Sequence, residues 1–299
     1  MKRFRMTDPI PVVYGGRHRR VLEHPDHRKG INHGMMTITT IIDVAPSVVR
    51  LEALLDHEGD ASRWLATNPA LRLELPDVDG SSTVSRVYTV RSYREVGSRR
   101  LIDVDIVRHT GDSPVMQWLS GVRRGTSVRI LGPRPHFCPS FIDGRPALLF
   151  ADETAIPALT TILRDWPEAH PGLVWAETPD RAVIDEIPRP QGVEIHWLPR
   201  AVPEAPGTTG RLVDAAIEAS AVHPEPITVW ACGEHQEMRR IRDHFRRDRE
   251  MRREDVQVFG YWRRGRTSSQ IDEARLQRYE EALALNPRMT VLDDFDVDD

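Results

Sequence analysis

A chain of 299 residues is long enough for two domains, each with a buried core of its own. With 39% hydrophobic and 29% charged residues, it is a globular chain with a well-solvated surface. The net charge of −4 falls largely on Asp293, Asp294, Asp296, Asp298 and Asp299, so the body is near neutral. No basic stripe alternates with aromatics, and nucleic-acid binding is not expected. No apolar run approaches a membrane-spanning length, and no apolar core follows Met1-Lys2-Arg3-Phe4-Arg5. Membrane insertion is therefore not expected, and a cytoplasmic location is. Cys138 and Cys232 are the only cysteines, too few for a disulfide scaffold or a thiolate metal site. Lys2 and Lys29 are the only lysines, so a cationic pocket in the body must be built from arginine.

Residues 1–34 read as a basic arm broken by prolines and glycines. Its His18, His24, His27 and His33 have no metal-ligand spacing, and no metal site is expected. From residue 35 to 143 the texture is β. Strands are expected at 37–44, 48–54, 84–92 and 100–109, and at 126–131, the last closed by Gly132-Pro133. A mixed stretch follows Trp64, a turn lies at Asp79-Gly80, and a helix-like break at 115–123. Six or so short strands joined by tight turns predict a small antiparallel barrel.

The run Arg86-Val87-Tyr88-Thr89-Val90-Arg91 lies in one of these strands. Alternation places Arg86, Tyr88 and Val90 on one face and Val87, Thr89 and Arg91 on the other. A guanidinium, an aromatic ring and a hydroxyl in such proximity suit a flavin dinucleotide: pyrophosphate, ring system and polar edge. Ordinary β-surface is the plainer alternative. After His109, glycine turns the chain and Pro114 suits a helix's first turn. The N–H groups of Val115, Met116 and Gln117 are then expected as unpaired donors at a positive helix end, a phosphate seat. A capped connector helix is the alternative.

Residues 144–266 alternate β and α patterns, as a parallel sheet requires. The apolar strand 147–151 runs into Asp152-Glu153-Thr154-Ala155 and a helix, which places that turn at the strand's carboxyl end, where α/β sheets bind ligands. Two carboxylates there repel a pyrophosphate, so uncharged ligand edges are expected; helix capping by Asp152 or Thr154 is the alternative. Strands follow at 173–177, 193–198 and 227–231, the last leading into Cys232-Gly233-Glu234. A final strand at 256–259 precedes Gly260-Tyr261-Trp262-Arg263-Arg264-Gly265-Arg266. Its aromatics and arginines suit a stacked nicotinamide–adenine ligand or an anionic aromatic chelate; packing of Trp262 under the terminal helix is the alternative. A polar helix is expected within 267–285, with Ile271, Leu276, Tyr279 and Leu283 on its apolar stripe. A disordered acidic tail is expected at 286–299.

In this order, these stretches resemble the siderophore-interacting protein family, FAD-dependent ferric-siderophore reductases of the ferredoxin-reductase-like superfamily. The resemblance covers about residues 36 to 285. It rests on the run 86–91, Asp103-Val104-Asp105 to His109, Gly132-Pro133-Arg134, Ala151 to Ala158, Cys232-Gly233-Glu234 and 260–265. It implies a six-stranded antiparallel FAD-binding barrel followed by a parallel-sheet NAD(P)H-binding domain. By position, Arg86, Tyr88, Thr89, Val90, Arg91, Asp105 and Val107 would hold the flavin. His109, Pro114, Val115, Met116 and Gln117 would lie near its ribityl chain and pyrophosphate. Asp152, Glu153, Thr154 and Ala155 would line the flavin–nicotinamide cleft, while Gly233, Glu234, Tyr261 and Trp262 would meet NADPH or NADH.

The implied reaction is reduction of Fe(III) in a siderophore, releasing the iron as Fe(II), with no catalytic side chain and no protein metal ligand. Arg263, Arg264 and Arg266 would form the cationic rim for an anionic chelate, in a chain expected to be monomeric. Departures from the family pattern fall at Ser113, Val115, Pro135 and Ala151, each adding bulk or stiffness where backbone approaches a ligand. Two other functions stay open at this point. One is a flavin reductase serving another acceptor or partner protein; the other is a flavin-poor siderophore-binding protein without turnover.

Overall fold

The computed structural model describes residues 31–76, 83–109, 113–201, 203–223 and 226–266, together with Gln270, Ile271, Ala274, Gln277 and Glu281. The residues before 31, the expected turn at Asp79-Gly80, residues 110–112, the stripe positions Leu276, Tyr279 and Leu283, and the acidic tail lie outside the described residues. Two compact units divide at His136 and Phe137.

The first unit is a closed barrel of six antiparallel strands: β1 (Asn32–Ala45), β2 (Val48–His57), β3 (Pro69–Pro76), β4 (Thr83–Val96), β5 (Arg99–Val107) and β6 (Ser127–Pro135). Their order around the barrel is β1-β2-β5-β4-β3-β6. Alternation drives this arrangement. Leu71, Leu73 and Leu75 on β3 and Ile102, Val104 and Ile106 on β5 turn inward, as do Leu51 and Ala53 on β2. A short 3-10 turn, Ala61–Leu65, is capped by the Asp60 side chain and drives Trp64 into the same core. One helix, α1 (Pro114–Gly121), adds Val115 to that core.

Two strands carry irregularities that the alternation does not show. β6 does not stop at Gly132-Pro133 but continues to Pro135, where it pairs with Pro69 of β3. The register slips between Ala70 and Arg72, and an irregularity of this kind tolerates a proline that donates no ladder bond. Gly132 lies close against β3: a Cβ there would stand 3.3 Å from the Ala70 carbonyl oxygen. β4 is bulged between Val90 and Ser92, so alternation breaks at Arg91 and Tyr93 returns to the core side.

The second unit is a five-stranded parallel sheet in the order β11-β10-β7-β8-β9. Its strands are β7 (Ala147–Asp152), β8 (Gly172–Thr178), β9 (Val193–Pro199), β10 (Thr228–Glu234) and β11 (Val256–Trp262). Helices α2 (Ile156–Arg164), α3 (Arg181–Asp185), α4 (Arg211–Val222) and α5 (His235–Asp243) connect them, α5 ending in a π-helical turn, His244–Asp248. β7 and β10 are buried along their whole length, which is why their sequences are near-continuous apolar runs. Helix α2 is buried from Ile156 to Leu163. The segment entering this unit packs on it as well. Phe137 stacks on Phe259, its carbonyl accepts from the Trp230 indole at 3.1 Å, and Phe141 meets Trp166 edge-on. Gln270, Ile271, Ala274, Gln277 and Glu281, which group with the first unit, are helical.

Candidate functional site

In the barrel unit, β4 pairs with β3 so that Arg86 stands opposite Leu73 and Tyr88 opposite Leu71, both core residues. Arg86, Tyr88 and Val90 thus share the inward face, as alternation predicts, and Val87 is exposed on the other. Arg86 is 8% exposed and donates to the Ser85 carbonyl at 2.8 Å. Tyr88 packs one side of its ring on the barrel core, and burial raises its hydroxyl above the usual range. Thr89 is half-buried.

Arg91, at the bulge, donates to Asp105 at 3.1 Å, and Arg50 closes on the same carboxylate at 2.7 Å. Val107, half-buried, ends β5. His109 Nε2 lies 3.3 Å from Ser113 Oγ, so the end of β5 and the start of α1 meet as expected. The phosphate seat is smaller than expected, because Ser113 is itself the helix cap. Its hydroxyl accepts from Met116 N–H at 3.2 Å and its carbonyl from Gln117 N–H at 2.9 Å. Among the described residues, Val115 N–H is the one donor of the three left without an intramolecular acceptor. Pro114 and Val115 are buried, and Gln117 is exposed.

The remaining donors still fit an anionic flavin dinucleotide. The strand offers a guanidinium, a ring and a hydroxyl, and the helix start offers one N–H at its positive end.

In the α/β unit the carboxyl ends of β7, β10 and β11 converge. Asp152 accepts from Thr154 N–H at 2.9 Å, from the Thr154 hydroxyl at 2.6 Å and from the Trp262 indole N–H at 2.7 Å. β10 lies between β7 and β11, and Gly233 is what allows this reach. A Cβ on Gly233 would stand 2.8 Å from Asp152 Cγ. Asp152 therefore does not cap α2, whose first turn has no side-chain cap. Trp262 is not in a loop either: β11 runs on through Gly260 and Tyr261 to Trp262, because Glu234 pairs with Trp262 across a register shift. Ala155 is buried, and Tyr261 is half-buried.

Glu234 caps α5, accepting from Gln236 N–H at 2.6 Å and Glu237 N–H at 3.1 Å, and its other oxygen takes Arg264 N–H at 3.1 Å. Arg263, Arg264 and Arg266 lie on the turn after β11, closed by Arg266 N–H to the Arg263 carbonyl. Gly265 takes the left-handed conformation there, and Arg264 and Arg266 are exposed.

Several residues that the motifs did not single out join this edge. Arg200 donates to Glu153 at 2.6 Å and approaches Glu177 at 3.8 Å. The Thr209 hydroxyl donates to Glu177 at 2.8 Å, and Gly210 N–H to Glu237 at 3.0 Å. Gly207 rests on the same place: at its positive φ, a Cβ would stand 2.5 Å from Glu234 Cγ and 3.3 Å from the Trp262 ring. Burial raises the carboxyls of Asp152 and Glu177, and lifts those of Glu153 and Glu237 to about 7. The signal for this cluster was present in the sequence. Asp152 and Glu234 each end an apolar strand, and Glu177 is next to last in another.

The closed antiparallel barrel followed by a parallel sheet is a fold shared with the ferredoxin-NADP+ reductase of Plasmodium falciparum, at a TM-score of 0.54 and 13% identity. Residues 45–137 match the siderophore-interacting FAD-binding domain and residues 145–265 match the siderophore-interacting protein model. The chain belongs to the siderophore-interacting protein family. It is 34% identical over 277 residues to a protein named ferric acinetobactin reductase from Acinetobacter baumannii, covering 93% of this chain and 94% of that one. It is 26% identical to the ferric vibriobactin reductase ViuB of Vibrio cholerae, covering 68% and 76%. The structure of a siderophore-interacting protein from Acinetobacter baumannii superposes with a TM-score of 0.79 at 34% identity, covering 85% of this chain and 99% of that one. Among the described residues, no helix is long and apolar enough to cross a membrane.

Proposed function

We propose that this chain is an NAD(P)H-dependent ferric-siderophore reductase acting in the cytoplasm, which reduces chelated Fe(III) to Fe(II) and so releases the iron. The observation that carries the reading is the 34% identity, over nearly the whole length of both chains, to a relative named as a ferric-siderophore reductase. When bound, FAD supplies the conversion of a two-electron hydride into the single electrons that Fe(III) accepts.

The chain's own residues bind and orient. Arg86 provides the charge for the pyrophosphate, Tyr88 the ring surface and Thr89 the hydroxyl at the flavin's polar edge. Val115 N–H adds one donor at the positive end of α1. On the α/β unit, the edge built by Asp152, Gly233 and Trp262 receives the nicotinamide nucleotide, as the carboxyl edge of a parallel sheet commonly does. Arg263, Arg264 and Arg266, on an arginine-rich turn, attract an anionic chelate. Hydride transfer needs two rings held at contact distance with water excluded, so no side chain has to carry a proton.

The test is the visible spectrum of the purified protein before and after anaerobic addition of NADH or NADPH, followed by a ferric chelate. A flavin band that bleaches with the nucleotide and returns with the chelate is the expected result. A colourless protein that binds the chelate, even after incubation with FAD, replaces this reading with that of a siderophore carrier. Arg86→Ala should weaken FAD binding by about tenfold or more, as loss of a charge-assisted contact implies. Full retention of flavin on dilution would show that Arg86 does not hold the pyrophosphate.

A further inference from the structure

The carboxyl edge of the parallel sheet buries more negative charge than its cations balance. Asp152, Glu153, Glu177, Glu234 and Glu237 are 8%, 6%, 3%, 1% and 5% exposed. The buried cation facing them is Arg200, 9% exposed and already engaged by Glu153 and Glu177. Arg211, at the start of α4, is held by both oxygens of Glu204 at 2.7 and 2.8 Å. Arg240 is exposed on α5 beside Gly210, and Arg264, whose N–H bonds to Glu234, is exposed on the turn after β11, so both are solvated charges against this buried set.

Two donors that could seat a phosphate are occupied by carboxylates. Gly210 N–H, at the positive end of the 12-residue helix α4, is taken by Glu237, and the Thr209 hydroxyl by Glu177. One acceptor points the other way. Glu153 Oε2 is buried with no hydrogen-bond partner among the described residues, an oxygen placed to accept from a hydroxyl or amide of a ligand.

A ribose 2′,3′-diol offers donors to such an edge. A 2′-phosphate offers further negative charge and acceptors alone. Resting on the reading that a nicotinamide dinucleotide is the electron donor, we propose that this edge selects NADH over NADPH. Its buried carboxylates accept from the ribose hydroxyls and repel the 2′-phosphate, and Glu177, next to last in the second strand of the β7-α2-β8 unit, is the principal discriminator. In dinucleotide folds a carboxylate at the end of that second strand takes the same part.

The experiment compares kcat/KM for NADH and NADPH with the full-length, flavin-loaded protein and ferric citrate as acceptor, at low and high salt. NADH should be favoured by about tenfold or more at low ionic strength, and the ratio should shrink at high salt as screening shortens the reach of the carboxylates. Glu204→Gln releases the Arg211 guanidinium at the same edge and should raise kcat/KM for NADPH by roughly threefold, narrowing the ratio. Equal use of the two nucleotides, or preference for NADPH, overturns the selection while leaving the donor class intact. Bleaching of the flavin by dithionite but by neither nucleotide overturns the donor reading itself, and the selection with it.

Discussion

On the wall of the barrel, Asp105 is clasped by Arg50 and Arg91, and Arg94 spans Asp103 at 2.7 Å and Glu52 at 3.2 Å. Among the described residues at the carboxyl edge of the parallel sheet, five buried carboxylates share one buried arginine and otherwise lean on hydroxyls, backbone N–H groups and an indole. Both units bury acidic groups, with opposite consequences. The barrel matches Asp103 and Asp105 with arginines, and these charges act as cross-strand braces. The sheet edge leaves acids in excess, so burial and mutual repulsion push Glu237 up to about 7. A brace is a poor ligand site because its charge is spent internally. An uncompensated edge keeps capacity to accept hydrogen bonds from a ligand.

The sharpest way to break this contrast is to remove the central brace. Asp105→Ala removes the carboxylate that the side chains of Arg50 and Arg91, 14% and 9% exposed, share. Unfolding in urea should show a loss of about 3–5 kcal/mol, the cost of an uncompensated buried charge. A loss below about 1 kcal/mol would mark the pair as a surface interaction instead.

Next in size is Trp262→Phe, which keeps an aromatic ring but removes the N–H that reaches Asp152. About 1.5–3 kcal/mol should be lost from the α/β unit, as for a hydrogen bond to a charged acceptor. Trp262→Ala should further impair reduction by nicotinamide nucleotides while flavin stays bound, readable as slowed bleaching at unchanged flavin content.

The acid excess has a pH signature. Glu153 and Glu237 hold their protons to about 7 in the folded chain against 4.5 as ordinary glutamates, so the folded state binds protons more tightly. Stability of the α/β unit should therefore fall as pH rises from about 4.5 through 7, by roughly 1 kcal/mol per group between pH 6 and 8. Glu237→Gln should flatten the slope in thermal melts; an unchanged slope assigns it to other groups.

The smallest effect on stability is expected at Ser113. Ser113→Gly retains most of the capping preference and should cost only a few tenths of a kcal/mol. It frees Met116 N–H for a ligand, so FAD affinity should rise about threefold, measured by fluorescence titration. Unchanged affinity would show that the helix start takes no part in flavin binding.

Much of the architecture was legible in the residues themselves. Period-two alternation in 100–107 and unbroken apolar runs at 147–151 and 227–231 separate a barrel from a two-sided parallel sheet, because burial on one face or on two leaves different patterns. The face shared by Arg86, Tyr88 and Val90 followed from the same period, and only the bulge at Arg91 interrupted it. Strand ends were less readable. Gly132-Pro133 and Gly260 look like stops, yet both lie inside strands, because register shifts against β3 and β10 make room for them.

What the sequence by itself determined is the order of units, the positions of the motifs and the placing of a carboxylate at or next to the end of each of three apolar strands. Only the tertiary structure decided which of these groups meet. Asp152 reaches Trp262, 110 residues away, because β7 and β11 flank β10 and Gly233 has no side chain to block the path. Arg200 is claimed by Glu153 and Glu177 because it directly follows β9, beside β8, whose Thr178 carbonyl accepts its N–H. Local pattern records which face a residue turns to water. It holds no record of the partner brought up from another strand, and that partner decides whether a buried charge is braced or left to accept from a ligand.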